Sequence, residues 1–560
     1  MTEGSEGYMT EMEYIYTYHS HLNPLHMQLA LVSAGYAPPA VATACELGFG
    51  QGISVNVHAA ASSAAWYGTD FHQDHAAFAQ ELATASSSEA SLFNQSFAEF
   101  CSRSDLPDFD FIVLHGIWTW TSDANRDVIV DFVRRKLKPG GVLSISYNTL
   151  HGWAAMLPAR DLLTEHAQRM SPPSLGIASR IDAALEFADC LMAASPHIAK
   201  SSPQVVERLA AMKVQDRRYV AGEYFSRNWH PMSFSEMTGW LAPSNLSFAC
   251  SDNYLDQVDA GRLTLAQRKL LQTIPDPLFR ETVRDFCLEQ PFRKDYWVKK
   301  AQRLSSREQV QALHGQRVVL VHPQANVRFK VALADGDASM TVSEGGPLLD
   351  ALADHQPHAL GDLAHHVYQH GMNFDRLLQF VLAMAGNGFL QAAQEDRAIS
   401  NAAGKGAVRR LNAILMHKAK MSQVVNYLAS PVTGGGVPVE RYHQLFLLAR
   451  SEGLESPDLW AQKTLGWLVA NGEHVERAVW RDRQPADILV DLVRQAQATG
   501  HKDPQTWAQA TLAFLQEHGR PLVEPPPPLL TPEQELRELI AQARVFADRH
   551  LSMLMSLGVV

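Results

Sequence analysis

Apolar positions along the first 155 residues fall into short runs that alternate with longer stretches of helical period. Val41 to Leu47 reads as a buried strand, Ile53 to Ala61 as a helix, Ala65 to Thr69 as a second strand ending at Asp70, and His75 to Ala85 as a second helix. Leu92 to Asn94, Asp110 to Leu114 and Gly141 to Tyr147 follow as strands three to five, with a helix over Ala124 to Leu137 and a turn at Lys138-Pro139-Gly140-Gly141. Strands alternating with helices of this length predict βαβ units and a parallel sheet, whose ligands sit beyond the carboxyl ends of the strands. Those ends nominate Gly48 to Gly52, Asp70-Phe71, Ser96-Phe97, His115-Gly116 and Tyr147-Asn148.

Beyond Trp153 the pattern turns helical, at Ala155 to Met170, Ile177 to Ala194 and Pro203 to Val214. Phe234 to Leu241 predicts a helix leading into a strand at Leu246 to Cys250, and Asp295 to Val298 predicts another. These two complete a seven-stranded sheet, which leaves 156–229 as a helical insertion able to form a lid, a dimer surface or a substrate wall. The expected organisation is therefore a nucleotide-binding fold over 1–155 and 230–300 with that insertion. A connector hairpin (Val318 to His322 with Val327 to Val331) and a winged-helix-like set of three short helices follow within 301–430. A helical domain over 431–522 and a Pro-rich spacer with a terminal helix over 523–560 complete the chain. Thr531-Pro532-Glu533-Gln534 carries an N-cap hydroxyl, Pro at N1 and Gln at N3.

The first strand runs into Glu46-Leu47-Gly48-Phe49-Gly50-Gln51-Gly52, and Asp70 stands about 20 residues beyond the glycines, the spacing at which a second strand offers a carboxylate to ribose hydroxyls. An adenosine cofactor is implied, and NAD, FAD and S-adenosylmethionine all use glycine turns. The third glycine comes one residue too early for G-x-G-x-x-G, and Glu46 suits an ammonium better than a pyrophosphate. These two features favour S-adenosylmethionine.

With these residues the chain resembles the class I S-adenosylmethionine-dependent methyltransferases. Glu46 to Gly52 looks like that family's first motif, with Phe49 in place of a common cysteine or alanine, and Phe109 to Val113 and Leu137 to Leu143 look like its fourth-strand and fifth-strand motifs. The resemblance implies cofactor contacts from Glu46, Gly48, Gly50, Gly52, Asp70, Phe71, Ser96 and Phe97. Longer stretches, Tyr16 to Pro24, Leu114 to Trp120, Ser146 to Trp153, Glu223 to Pro231 and Leu428 to Val439, resemble bacterial methyltransferases that carry a methyltransferase regulatory domain. Gly222 stands where a histidine is frequent in them. Characterised relatives of this architecture include protein lysine methyltransferases.

Composition narrows the partners. The formal net charge of −11 argues against a nucleic-acid substrate, which calls for clustered Lys and Arg. Strand four also lacks the N/D-P-P-Y/F sequence associated with methylation of base amino groups. Five scattered cysteines show neither a disulfide framework nor metal-ligand spacing, and no apolar run approaches membrane-spanning length. A cytoplasmic protein, without metal and without membrane insertion, is the expectation, and a homodimer is open.

A sulfonium methyl is already electrophilic, so the protein need only align a nucleophile and exclude water. A lysine acceptor, with an ordinary pKa near 10.4, costs about 4.6 kcal/mol to deprotonate at pH 7, and desolvation lowers that cost. His115, Tyr147 and Asn148 are the candidate catalytic residues, and His115 also stands beside the cofactor. Trp118, Trp120 and Trp153 are candidates for a slot that holds a lysine stem, and Tyr18 for closure over the methionine moiety. Plain packing is an equally good account of these aromatics. The expected activity is methyl transfer to protein lysine amines; a small-molecule N- or O-methyltransferase and a non-catalytic cofactor-binding scaffold are the alternatives.

Overall fold

The computed structural model describes residues 16–172, 174–226, 228–258, 262–328, 330–332, 339–341, 344–422, 425–475 and 530–560. Over these residues the chain divides into two compact units. One comprises Met1–Asn412, Val424–Pro438 and Ser556–Val559, and the other Ala413–Gln423, Val439–Met555 and Val560.

The first unit is built on a seven-stranded sheet of strands β1 (Thr43–Leu47), β2 (Ala65–Asp70), β3 (Ser91–Asn94), β4 (Phe109–Leu114), β5 (Leu137–Asn148), β6 (Leu246–Ser251) and β7 (Phe292–Lys299). Their order is β3-β2-β1-β4-β5-β7-β6, with β7 antiparallel to both neighbours and the other pairs parallel. Helices α1 (Pro24–Ser33), α2 (Ile53–Ala61), α3 (Gln73–Ser86), α4 (Phe97–Cys101) and α5 (Asp123–Lys136) supply the crossovers and cover the faces. The period-2 alternation of the strands separates two cores. Ala44, Trp66, Phe111, Val113, Val142 and Tyr296 belong to one, and Cys45, Leu47, Ile112, Leu114, Leu143 and Tyr147 to the other. The strand order reverses between β1 and β4, and a crevice opens at such a point for a ligand.

The expected seven-stranded sheet is borne out. Lys138 to Gly141, expected as a turn, lies instead inside β5. The ladder pairs Phe109 with Leu137 and Phe111 with Val142, so the intervening residues bulge while pairing continues. Asp110 Oδ2 accepts from the backbone N–H groups of Ala42 and Thr43, and its other oxygen lies 2.9 Å from Lys138 Nζ. Burial pushes the Asp110 carboxyl up, but the bonds from Lys138, Thr43 and Ala42 outweigh it and hold it below its ordinary value.

The hairpin expected between Val318 and Val331 does not form. The strand Arg317–Leu320 pairs with His358–Ala359 and Leu390–Ala392, and Lys330–Ala332 pairs with Ser339–Thr341. The helices Gly346–Ala351, Leu360–Tyr368 and Phe374–Gly386 accompany this three-stranded sheet in the expected winged-helix-like order. Leu320, Leu360, Phe380 and Leu390 share one hydrophobic core with Ala44, Trp66 and Phe111, so the segments on either side of residue 300 are packed as one body. The insertion holds helices Leu157–Arg169, Ile177–Ala194, Pro196–Ser201, Pro203–Val214 and Arg217–Phe225 around its own core.

In the second unit the helix Pro532–Val545 starts on the expected capping box, with Thr531 and Gln534 exchanging bonds. Arg544 of this helix pairs with Asp458 at 2.9 Å, and Phe546 beyond it packs against His443 and Trp460. The spacer at Pro525 to Pro528 and the helical pattern from residue 476 to Leu515 lie outside the described residues.

Candidate active site

At the end of β1 the chain turns through Gly48, Gly50 and Gly52, whose φ angles of 74°, 56° and 68° lie in the left-handed region that favours glycine. The three differ in what surrounds them. A side chain at Gly52 would meet Ala79 Cβ at 2.4 Å, and one at Gly48 would meet Ile117 Cδ1 at 2.6 Å. A side chain at Gly50 would meet nothing within 4 Å among the described residues. Gly52 and Gly48 therefore serve close packing, whereas Gly50 borders open space.

The Gly50 N–H donates to Asp70 Oδ2 at 2.8 Å, and the His72 N–H donates to Asp70 Oδ1 at 2.9 Å, which fixes the carboxylate beside the loop. Each oxygen keeps a second lone pair for a ribose hydroxyl. Glu46 is buried at the end of β1, and its Oε2 has no hydrogen-bond partner among the described residues. Burial, and then the nearby Asp70, push its carboxyl up to about 8. A buried acceptor without a donor, an open left-handed glycine and a fixed acid at ribose spacing fit a ligand that carries an adenosine and an ammonium.

Phe71 is 37% exposed beside Asp70. Ser96 is committed to the capping box of α4, accepting from the Glu99 N–H while its own hydroxyl bonds the Glu99 carboxylate. Phe97 flanks Gly48 together with Ile117, a residue that sequence reasoning missed.

His115 directly follows β4 and is half-buried. Its Nδ1 lies 3.0 Å from both Ser146 Oγ and His21 Nε2, and the His19 ring stacks obliquely at 4.0 Å. Burial, then His19 and Lys294, hold its imidazole well below the ordinary value, so it is neutral at pH 7. His19 and His21 escaped notice in the sequence because they stand 94 residues or more before His115; the only signal was the histidine repeat in Tyr16 to Pro24.

Of the other two candidate catalytic residues, Asn148 is buried with its Nδ2 lacking an acceptor among the described residues. Tyr147 points instead into the core beside α5 and donates to Asp295 Oδ2 at 3.1 Å. Burial, then Asp295, push its phenol well up.

The structure does not gather the three tryptophans into one open slot. Trp118 is fully buried in the α5-side core, with its indole N–H directed at Met232 Sδ. Trp120 and Trp153 lie in the core of the insertion, where Arg208 covers the Trp153 ring at 4.2 Å. Their size and apolarity serve packing, and sequence order alone cannot separate the two uses. Tyr18 is buried, with its hydroxyl 3.1 Å from His58 Nε2 and its ring against Gly436 and Tyr427. The Leu428 to Val439 segment thus forms a hairpin that clamps the N-terminal arm, with Asn23 donating to the Thr433 carbonyl. Among the described residues no group of three or more His, Cys, Asp or Glu is placed to hold a metal ion.

Comparison with known proteins agrees with this geometry. A methyltransferase-domain model matches residues 45–145, and a model of a predicted methyltransferase regulatory domain matches 216–299. An uncharacterized protein of Synechocystis sp. is 35% identical over 458 residues, 81% of this chain and 89% of that protein. One from Rickettsia prowazekii is 30% identical over 156 residues, 27% of this chain and 60% of that protein. Among solved structures, PKMT2 from Rickettsia typhi in complex with AdoHcy shares the fold with a TM-score of 0.62 at 14% identity, covering 90% of this chain and 98% of that chain. The chain belongs to the S-adenosylmethionine-dependent methyltransferases that carry a methyltransferase regulatory domain.

Proposed function

We propose that this enzyme methylates the ε-amines of lysines in polypeptide substrates. The observation that carries the reading is the extent of the likeness to PKMT2: it spans 98% of that chain and so takes in far more than the methyltransferase core. The N-terminal arm and the segments after strands four and five resemble bacterial methyltransferases with a regulatory domain, whose characterised relatives include protein lysine methyltransferases, and this supports the same substrate class.

S-adenosylmethionine supplies an electrophilic methyl group when bound. Glu46 Oε2 holds its ammonium, Asp70 its ribose, and the Gly48 to Gly52 turn lets it approach the main chain. His115, neutral at pH 7, accepts a hydrogen bond from the incoming amine and orients its lone pair, and Asn148 Nδ2 donates from the end of β5. Trp153 remains a candidate wall for the substrate, on condition that Arg208 moves aside.

The test is incubation of the protein with methyl-labelled cofactor and a lysate separated into protein and small-molecule fractions. Label in the protein fraction supports the reading. Label confined to small molecules contradicts it and supports a small-molecule methyltransferase.

A further inference from the structure

Behind His115 lies an array of charged and titratable side chains. In the β5/β7 ladder Lys294 stands directly opposite Ser146, and paired residues share a face of the sheet. On that face Ser146 Oγ contacts His115 Nδ1, and Lys294 Nζ lies 3.0 Å from the carboxylate of Asp252, just past the end of β6. Asp252 is 3.9 Å from His21 Nδ1, and His21 Nε2 returns to His115 at 3.0 Å. His26 of α1 bonds the Asp252 carbonyl at 2.8 Å, and His19 covers His115. One ammonium, one buried carboxylate and four histidines from five segments of the chain therefore face one another. Tyr296 and Tyr254 close the array by donating to the His21 and His26 carbonyls. Asp256 and Asp295 are engaged elsewhere, by Arg262 and Arg284 and by Arg293.

We propose that Lys294 makes this end of the cleft reject an ammonium, so that an amine acceptor is held there in its neutral, nucleophilic form. Lys294 is thus a specificity-determining, positioning residue, and the inference rests on the amine-acceptor reading above. The histidines report the same field: burial, then Lys294, push His19 down to about 4 and His21 well below its ordinary value. Asp252, the acid of the array, pairs with Lys294, but burial pushes its carboxyl up to about 7, so at pH 7 it is only partly ionised and offsets only part of the ammonium's charge. Burial and Lys294 act on an entering lysine ammonium in the same direction, lowering it from its ordinary value near 10.4.

The acceptor's proton passes to bulk water on entry. The amine lone pair then forms the N–C bond as the methyl–sulfur bond breaks and its electron pair stays on sulfur. The product is a methylammonium, a cation that the same field expels.

The experiment titrates His115 in the full chain labelled with 15N-histidine, its resonance assigned by loss in His115→Asn. Lys294→Gln is expected to raise the His115 midpoint by about one pH unit, with Lys294→Met as a second neutral variant and Lys294→Arg restoring the native value. An unmoved midpoint in the neutral variants overturns the proposal. In methyl transfer to lysate protein, Lys294→Gln is expected to lose about tenfold at pH 7 and to recover at higher pH, following the raised acceptor. A loss uniform across pH marks a merely structural role and also overturns it. Label found only on oxygen acceptors would overturn the amine reading, a result separate from the His115 midpoint, which alone decides whether Lys294 sets the field.

Discussion

Alanine at Gly50 and alanine at Gly52 are the same chemical change two residues apart, yet the structure assigns them opposite consequences. Both glycines have positive φ, so each substitution carries about 1–2 kcal/mol of left-handed strain. At Gly52 the new methyl falls 2.4 Å from Ala79 Cβ and 3.3 Å from Ala79 Cα, backbone-anchored atoms of α3 that cannot swing away. Overpacking of that kind adds about 1–3 kcal/mol, for a total of about 2–5 kcal/mol. At Gly50 the methyl enters space with no protein atom within 4 Å, so strain is the whole stability cost. On the proposed binding mode the same methyl occupies the cofactor's approach to the main chain. Thermal unfolding and AdoHcy calorimetry on both variants separate the effects. Gly52→Ala is expected to lower Tm by about 5 °C or more. Gly50→Ala is expected to keep most of its stability while AdoHcy binding weakens at least about tenfold, or about 1.4 kcal/mol. Native affinity in Gly50→Ala, or a native Tm in Gly52→Ala, refutes the division of labour within the turn.

Three further outcomes follow from the charges. On the proposed role of Glu46 as partner of the cofactor ammonium, its carboxyl, pushed up to about 8, ionises on binding, so cofactor binding at pH 7 is expected to release a proton and to tighten up to about tenfold per pH unit as pH rises toward 8. Calorimetry in buffers of different ionisation enthalpy detects the proton, and Glu46→Gln should abolish the linkage. Asp110→Asn removes the charge partner of the partly exposed Lys138 while its amide oxygen can still accept from the two backbone N–H groups, and is expected to cost about 1–2 kcal/mol in denaturant unfolding without altering the cofactor pocket. His58 is fully buried, and burial pushes it down to about 3. The unfolded chain therefore binds the proton first, and stability should fall as pH drops below about 6.5 and continue to fall toward 3. His58→Gln should make that acid limb shallower in a plot of Tm against pH, the remainder coming from the other buried histidines such as His19 and His26.

Much of this was legible in the chain because it is local. Alternation within each strand, glycines at positive φ and an acid about 20 residues on are properties of contiguous sequence, and β1, β2, β4 and the Glu46 to Asp70 cradle followed from them. Pairings that depend on distant partners were not legible. Arg317–Leu320 reads as half of a hairpin until His358–Ala359 and Leu390–Ala392 arrive to flank it. Lys138 to Gly141 carries the composition of a turn, and only the parallel ladder with β4 makes it a bulge. The histidine array is the extreme case, since His21, His115, Asp252 and Lys294 meet only because β7 returns antiparallel beside β5. The tryptophans illustrate the converse limit: an indole after a strand end suits a substrate wall or a core, and the insertion that buries Trp120 and Trp153 gives no sign of doing so in its own periodicity.

The most direct measurement of the central claim is the chemical form of the transferred methyl group. Protein labelled by this enzyme from methyl-labelled S-adenosylmethionine, hydrolysed in acid and resolved by amino-acid analysis, should release the label as N-methylated lysine, and the Gly50→Ala enzyme should transfer little. Label that is lost as methanol in mild alkali, or that is recovered on any residue other than lysine, would contradict transfer to lysine amines.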